Sequence, residues 1–126
     1  ADTKQLQRAA KIRAAVEHLV SPFNLASCRP NGSTVTTCVW IPTSAGLRPA
    51  WPTSYFCGAP QLRKWNTTAE DVLAAARESS AADGPLQDGD KGVRIEVIES
   101  ADGKGPFVGP LEALPEPCRA KLKCPV

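Results

Sequence analysis

The side chains that most often carry out catalysis are scarce in this chain of 126 residues. His18 is the one histidine, and a helical wheel places it on the charged, solvent-facing side of the first predicted helix. A nucleophilic serine or cysteine needs a base held beside it in a fixed pocket, and the sequence indicates no such pairing. It also has no glycine-rich phosphate loop, no CxxC pair and no EF-hand spacing within Asp83–Asp90. We therefore expect neither a cofactor nor a metal.

Neighbouring carboxylates are the remaining candidates for acid–base chemistry. Glycoside hydrolysis requires two of them at a defined separation across a substrate cleft. Each candidate pair has a simpler explanation, as a helix cap, the solvent face of a strand, or a turn. The three pairs are Glu70 with Asp71, Glu96 with Glu99, and Asp88 with Asp90. Whether the chain is an enzyme stays open: a non-catalytic role is favoured, and a small secreted hydrolase using a carboxylate pair is an alternative.

Five cysteines in so short a chain indicate a disulfide-stapled domain outside the reducing cytosol. Their number is odd, so at least one is unpaired or joins a second chain, which makes a covalent homo-oligomer conceivable. A disulfide between Cys118 and Cys124 or between Cys28 and Cys38 could close a short loop, and Cys57 is a competing partner for Cys28 or Cys38. The five are Cys28, Cys38, Cys57, Cys118 and Cys124.

Two of the three asparagines lie in N-glycosylation sequons, Asn31-Gly32-Ser33 and Asn66-Thr67-Thr68. Both segments are rich in turn-forming residues, where a glycan has room. The simpler interpretation is that Asn31 belongs to a turn and Asn66 precedes a helix. The sequence has no apolar run long enough for a transmembrane segment. Ala1 is followed at once by polar, charged residues, so a secreted protein would be present here in its mature form. We predict a secreted or extracytoplasmic glycoprotein.

The positive charge is concentrated in the first half of the chain. Residues 1–65 carry eight Lys or Arg and two Asp or Glu, whereas residues 66–126 carry seven and eleven. Such polarity can support homo-oligomer assembly or anion binding, unless the fold brings the halves together and neutralises them. The basic residues that we predict to bind an acidic protein or glycan lie on the first helix and near the C-terminus: Lys4, Arg8, Lys11, Arg119, Lys121 and Lys123. They lack interleaved aromatic residues, so no nucleic acid is expected as a partner.

A proline-rich loop, Ile41–Tyr55, carries the second predicted binding surface. Rigid aromatic anchors in such a loop lose little entropy on binding, so Arg48, Trp51 and Tyr55 are candidates for protein recognition. The alternative is that these rings fill the core beneath the loop. A secreted protease inhibitor is a further alternative, although Arg48 precedes a proline, which is a poor residue after a scissile bond; another loop such as Gly109–Pro117 could serve instead.

The predicted elements indicate one α+β domain over residues 1–126. An amphipathic N-terminal helix and a second helix pack on a small antiparallel sheet, because strands so close in sequence pair as hairpins. We expect Asp2 to cap the first helix, and Thr67 or Thr68, with Glu70 or Asp71, to cap the second. The expected helices span residues 3–20 and about 68–82, the strands lie near 34–41, 53–57, 93–99 and 106–108, and residues 109–126 form an irregular proline-rich tail.

Overall fold

A computed structural model describes residues 3–29, 32–44, 46–82 and 91–124. The predicted cap at Asp2, the sequon residue Asn31 and the pair Asp88 and Asp90 lie outside the described residues. In chain order the elements are α1 (Thr3–Leu19), α2 (Pro22–Ser27), α3 (Ser33–Thr36), β1 (Val39–Thr43), β2 (Gly46–Pro52), α4 (Thr53–Gly58), α5 (Pro60–Arg63), α6 (Ala69–Ala81), β3 (Ile95–Ile98), β4 (Phe107–Pro110) and α7 (Glu116–Lys121).

The four strands form one antiparallel sheet in the order β1-β2-β4-β3. The α+β prediction is therefore confirmed. The strands expected near 93–99 and 106–108 form the antiparallel pair β3–β4, and in the turn between them the backbone N–H of Lys104 donates to the Asp102 carboxylate at 3.0 Å. No helix within the described ranges is both long enough and apolar enough to span a bilayer.

The core lies mainly between the helices and one face of the sheet. α1 packs on α6, and α6 packs on β3. Trp51 and Phe56 are the largest fully buried side chains, and they share this cluster with Ile12 and Val72. A smaller cluster, Ile41, Ala50 and Ile98 with Phe107 against it, is formed entirely by the strands. Ala50 and Trp51 belong to different clusters because successive strand residues point to opposite faces.

The two long helices follow the sequence prediction closely. α6 begins after Thr68, whose hydroxyl accepts from the Asp71 backbone N–H while the Asp71 carboxylate accepts from the Thr68 N–H, so the predicted capping box is confirmed. In α1, Ile12 and Val16 are buried as expected. Arg13, which interrupts the apolar face, is also buried and donates to Glu17 at 3.1 Å. An ion pair within the helix thus makes the interruption compatible with packing.

The predicted strand at 34–41 is wrong over its first half. Residues Ser33–Thr36 form a helical turn and β1 begins only at Val39. The turn buries Val35 in the main core and aims the carbonyl of Thr34 at the indole of Trp51, which donates to it at 2.8 Å. Tertiary contacts therefore override the strand preference of the β-branched residues.

The strand predicted at 53–57 is also wrong, because residues Thr53–Gly58 are helical. The returning strand is instead β2, in the segment that its prolines suggested to be a loop. Pro42 lies in the edge strand β1, and β2 pairs with β4 only at Trp51 and Pro52, so Pro49 is tolerated where the sheet is incomplete.

The C-terminal region is less irregular than predicted. Gly109 and Pro110 belong to β4, and α7 spans Glu116–Lys121 with a proline in its first turn. A Cβ on Gly109 would overlap the carbonyl oxygen of Pro49. Glycine is therefore what allows β4 to approach the backbone of β2 so closely.

Candidate functional site

Of the side chains considered for catalysis, His18, Asp71 and Glu96 are engaged in structural contacts, and Glu70 and Glu99 are exposed. The Nδ1 atom of His18 is 2.7 Å from the carbonyl oxygen of Lys91. The centroid of its ring is 6.0 Å from the ring centroid of Phe23. The carboxylates of Asp71 and Glu96 form ion pairs with Arg8 and Arg48, respectively. Within the described residues, no group of three or more His, Cys, Asp or Glu comes together as a set of metal ligands.

Arg8 binds the turn before α6. Its guanidinium donates to the Asp71 carboxylate at 2.9 and 3.2 Å and to the carbonyl oxygen of Trp65 at 2.8 and 3.1 Å. A further bond reaches the carbonyl of Asn66 at 3.2 Å. The hydrogen bond from Arg8, assisted by those from Thr68, lowers the pKa of Asp71 from 3.8 to about 2. Arg8 therefore attaches α1 to α6, and its charge is already compensated within the fold.

Ion pairs between the two halves of the chain reduce the charge asymmetry. Arg13 also reaches Glu78 at 3.2 Å, and Arg48 reaches Glu96 at 2.9 Å. Together with the Arg8–Asp71 pair, these join three arginines of the basic half to three carboxylates of the acidic half. This is the neutralisation that was the alternative to a charge-driven assembly.

The predicted basic surface is divided rather than continuous. The Nζ of Lys11 lies 5.6 Å from the ring centroid of Trp65, beside Arg8, and Lys4 is exposed one turn earlier on α1. Lys121 donates to the carbonyl oxygens of Leu25, Ala26 and Cys28 at 2.9, 3.0 and 2.8 Å, so it caps the C-terminal end of α2. Arg119 and Lys123 line a different surface, described below.

Trp51 does not lie on the surface. It has an exposed fraction of 0% and belongs to the main core, which is the alternative interpretation of the aromatic loop. The half-buried Tyr55 is 2.6 Å from the hydroxyl of Thr34 and borders a cavity of about 480 Å³ with Cys28 and Asn24. Burial raises the pKa of the Tyr55 hydroxyl. Trp51 is therefore not a surface anchor for a partner, whereas Tyr55 borders a cavity.

Arg48 lies in β2 rather than in an exposed loop. Besides its pair with Glu96, its guanidinium donates to the carbonyl oxygen of Pro110. The peptide bond after Arg48 is therefore part of the sheet, because Arg48 pairs with Ile41 of β1 and Pro49 pairs with Trp40. A protease-inhibitor loop must be extended and accessible, and this segment does not provide one.

Two adjoining cavities lie at the predicted residues Arg48, Arg119 and Lys123, and we call them together the Arg119 cleft. The first has a volume of about 270 Å³ and lies between the β1–β2 turn and the segment after β4. The second has a volume of about 500 Å³ and lies along α7. Both are lined by Leu114 and Arg119. The other lining residues used below are Leu47, Arg48, Pro49, Leu111 and Glu112 in the first cavity and Glu116 and Lys123 in the second.

Arg119 lies between aromatic and sulfur groups. Its guanidinium carbon is 5.9 Å from the centroid of Trp40, and its Nη2 donates to the sulfur of Cys124 at 3.5 Å. Trp40 is held in turn by a bond from its Nε1 to the carbonyl oxygen of Leu122 at 3.0 Å. No carboxylate of the described ranges lies at ion-pairing distance from Arg119 or Lys123.

No two of the five cysteine sulfurs, all within the described residues, lie at bonding distance, so the predicted disulfide stapling is not seen. Cys118 is buried in the main core, and the sulfur of Cys28 accepts from Asn24 at 3.8 Å. Burial raises the pKa of both Cys57 and Cys118. The short loops that were expected between Cys118 and Cys124 or between Cys28 and Cys38 are held by hydrogen bonds and packing instead.

The second sequon is accessible. Asn66 is exposed in the turn between α5 and α6, with a left-handed φ of 53°. Its Thr68 serves as the cap of α6. A glycan on Asn66 would extend from the turn that Arg8 binds.

Sequence reasoning missed the residues that give the cleft its apolar lining. Leu114 comes from the segment that was expected to be an irregular tail, and Leu47 from one that was expected to be a loop. Neither has a periodic pattern around it. Trp40 contacts Arg119 in the cleft, but the sequence marks it only as one of several aromatic residues near the proline-rich loop.

The site's interpretation rests on its geometry. Comparisons with protein-family models, with curated proteins and with solved structures found no significant match.

Proposed function

We propose that the chain is a non-catalytic recognition domain that binds an acidic segment of a protein partner in the Arg119 cleft. The single observation that carries the proposal is that Arg119 and Lys123 face a shared concave surface without a carboxylate partner in the part of the chain that is described. Arg8, Arg13 and Arg48, by contrast, each have one. Uncompensated cations beside a cleft favour an anionic ligand.

The lining of the cleft favours a polypeptide over a glycan. Leu111 and Pro49 supply apolar surface in the cavity beside Arg119, and the largely buried Leu114 borders both cavities. A segment with carboxylates beside aliphatic side chains would satisfy both kinds of surface. Glu112 and Glu116 at the same cleft would disfavour a uniformly anionic polymer, because part of its charge would meet like charge.

The experiment is a selection of random peptides displayed on phage against the immobilised protein, followed by affinity measurements on synthetic peptides. We expect the enriched sequences to combine Asp or Glu with Leu or Ile. Lys123→Glu and, separately, Arg119→Gln should weaken their binding by about tenfold each, the effect of removing one charged contact. Lys104→Glu is the matched control, since Lys104 is exposed on the loop between β3 and β4 and the charge change is the same as in Lys123→Glu.

Each outcome decides the proposal. Peptides without acidic residues, or acidic peptides that bind Lys123→Glu as tightly as the parent, would contradict it. Binding of heparin fragments in place of peptides, lost on Lys123→Glu, would replace the protein partner by an acidic glycan. The far-ultraviolet circular dichroism spectra of the variants show whether Arg119→Gln perturbs the fold, and the exposed Lys123 provides the test if it does.

The proposed location is secreted or extracytoplasmic, which the cysteine content and the exposed sequon at Asn66 support. The intact mass of the natural protein before and after reduction tests it. Added hexose mass that maps to Asn66 would support the proposal, and five alkylatable thiols without glycan would oppose it. A homo-oligomer stays a proposal as well, and the neutralising ion pairs between the halves weaken its electrostatic basis.

A further inference from the structure

Two cysteines distant in sequence lie on either side of one tertiary contact. The Nε1 of Trp40 donates to the carbonyl oxygen of Leu122 at 3.0 Å, and each cysteine is two residues from one end of that bond. Cys38 precedes β1, and Cys124 follows α7. We propose that Cys38 and Cys124 form a disulfide that ties the start of β1 to the end of α7 when the protein meets a small-molecule disulfide as oxidant.

Several contacts hold Cys124 at this place. Its backbone N–H donates to the carbonyl oxygen of Arg119 at 3.1 Å, and the N–H of Lys123 donates to that of Ala120 at 3.0 Å. Lys123 has a left-handed φ of 59°, which turns the chain back over the last turn of α7. Arg119, stacked near Trp40, donates to the Cys124 sulfur at 3.5 Å. The Cys124 sulfur therefore lies beside the guanidinium that faces Trp40 of β1.

The thiol of Cys38 lies within electrostatic range of Cys124. Burial raises the pKa of Cys38 to about 12, a hydrogen bond with the backbone of Ala50 opposes the rise, and the charge of Cys124 adds to it. No other cysteine contributes to the shift of Cys38. The contact between Trp40 and Leu122, together with this interaction, therefore favours Cys124, and not the sequence neighbour Cys28, as the partner of Cys38.

The remaining cysteines face other surroundings. Cys28 is next to Asn24 and Tyr55, Cys57 is near Asp71, and Cys118 is buried in the main core. The proposed bond needs the two Cα atoms to come within about 4.4–6.8 Å. Cys124 lies three residues beyond the last residue of α7, so a shift of this segment that brings the sulfurs together does not require α7 to unwind.

The reaction begins at Cys124, because burial raises the pKa of Cys38 and so disfavours its thiolate. The Cys124 thiolate attacks one sulfur of the oxidant, a mixed disulfide forms, and the first thiolate leaves and takes up a proton. Cys38 then gives up its proton to water and attacks the Cys124 sulfur, which releases the second thiol. Two protein thiols are oxidised to one disulfide, and the oxidant disulfide is reduced to two thiols.

The experiment is disulfide mapping of the purified protein after equilibration with reduced and oxidised glutathione and quenching with acid and an alkylating agent. Thermolysin can cut before Val35 and trypsin after Arg119, so the digest separates Cys38 from Cys28 and Cys124 from Cys118. We expect a linked pair of peptides that contains Cys38 and Cys124 and is lighter than the two reduced peptides by two hydrogen atoms.

Matched variants complete the test. Cys124→Ser should abolish the linked pair, whereas Cys57→Ser should leave it unchanged. A bond from Cys124 to Cys118, a bond from Cys38 to Cys28, or full alkylation of both Cys38 and Cys124 at every glutathione ratio would overturn the proposal. The mapping uses the parent protein, so it decides even if a variant fails to fold.

Discussion

The contact of Arg8 with Asp71 carries a quantitative prediction, because it distinguishes a structural cation from a binding one. Arg8 belongs to the basic set predicted to bind an acidic partner, yet its guanidinium joins α1 to the turn before α6. If the role is structural, Arg8→Met will lower the stability of the isolated protein. If the role were binding alone, removal of the charge would leave stability nearly unchanged.

The magnitude follows from the pKa of Asp71. A fall from 3.8 to about 2 would correspond to roughly 2.4 kcal/mol of stability at neutral pH. Both side chains keep 28% of their surface exposed, so solvent screening reduces the pair to about 1.2 kcal/mol. The hydrogen bonds from Arg8 to the carbonyls of Trp65 and Asn66 add about 1 kcal/mol. We expect Arg8→Met to cost about 2 kcal/mol.

The pH dependence has a definite sign. The pKa of Asp71 is lower in the folded state than in the unfolded state, so its contribution is fully present above about pH 4 and disappears as the pH falls towards 2. Roughly half of it should be lost between pH 7 and pH 3. In Arg8→Met, Asp71 should contribute much less than in the parent to the loss of stability between pH 7 and pH 3.

The assay is urea unfolding at pH 7 and pH 3 of the parent, Arg8→Met, Asp71→Asn and the double variant. The double-mutant cycle isolates the pair, because the capping bonds that Asp71→Asn also weakens cancel. Arg77→Met is the control, since Arg77 is exposed on α6 and loses the same charge. A coupling energy near zero, or equal losses for Arg8→Met and Arg77→Met, would refute the structural assignment.

Three further substitutions test the fold around the site. Gly109→Ala should destabilise the protein by about 3 kcal/mol in urea unfolding, because its Cβ overlaps the Pro49 carbonyl; a neutral effect would contradict the close approach of β4 to β2. Lys121→Met should lower stability by about 2 kcal/mol through loss of the three bonds that cap α2, and hydrogen exchange should rise first in α2. Glu17→Gln should cost about 2 kcal/mol, because Arg13 loses its buried partner; a more stable variant would show that burial of this pair is a net cost.

The accuracy of the predicted elements depended on how local their signals are. The capping box of Thr68 and Asp71 and the spacing of Ile12 and Val16 are short-range, so α6 and α1 were predictable. The helical turn at Thr34 was not, because it depends on a hydrogen bond from Trp51, seventeen positions away. A run of β-branched residues has only a weak intrinsic preference, and one buried indole is enough to override it.

The candidate site was predictable only in part for the same reason. Arg48 was selected with the proline-rich loop, Arg119 and Lys123 were selected as cations, and all three line one cleft. Arg8 and Lys121 were selected by the same criterion, yet the fold uses both as hydrogen-bond donors to backbone carbonyls. Charge can be read from the sequence, whereas the presence of a compensating acceptor depends on residues far along the chain.

The sequence by itself determined the α+β class, the positions of α1 and α6, and the excess of positive charge in the first half of the chain. Those properties depend on composition and on patterns a few residues long. Only the tertiary structure decided that Trp51 is in the core, that the two halves neutralise each other, and that Trp40 of β1 contacts Leu122 after α7. Burial and pairing are properties of contacts between distant residues, and the free energy of those contacts exists only once the chain is folded.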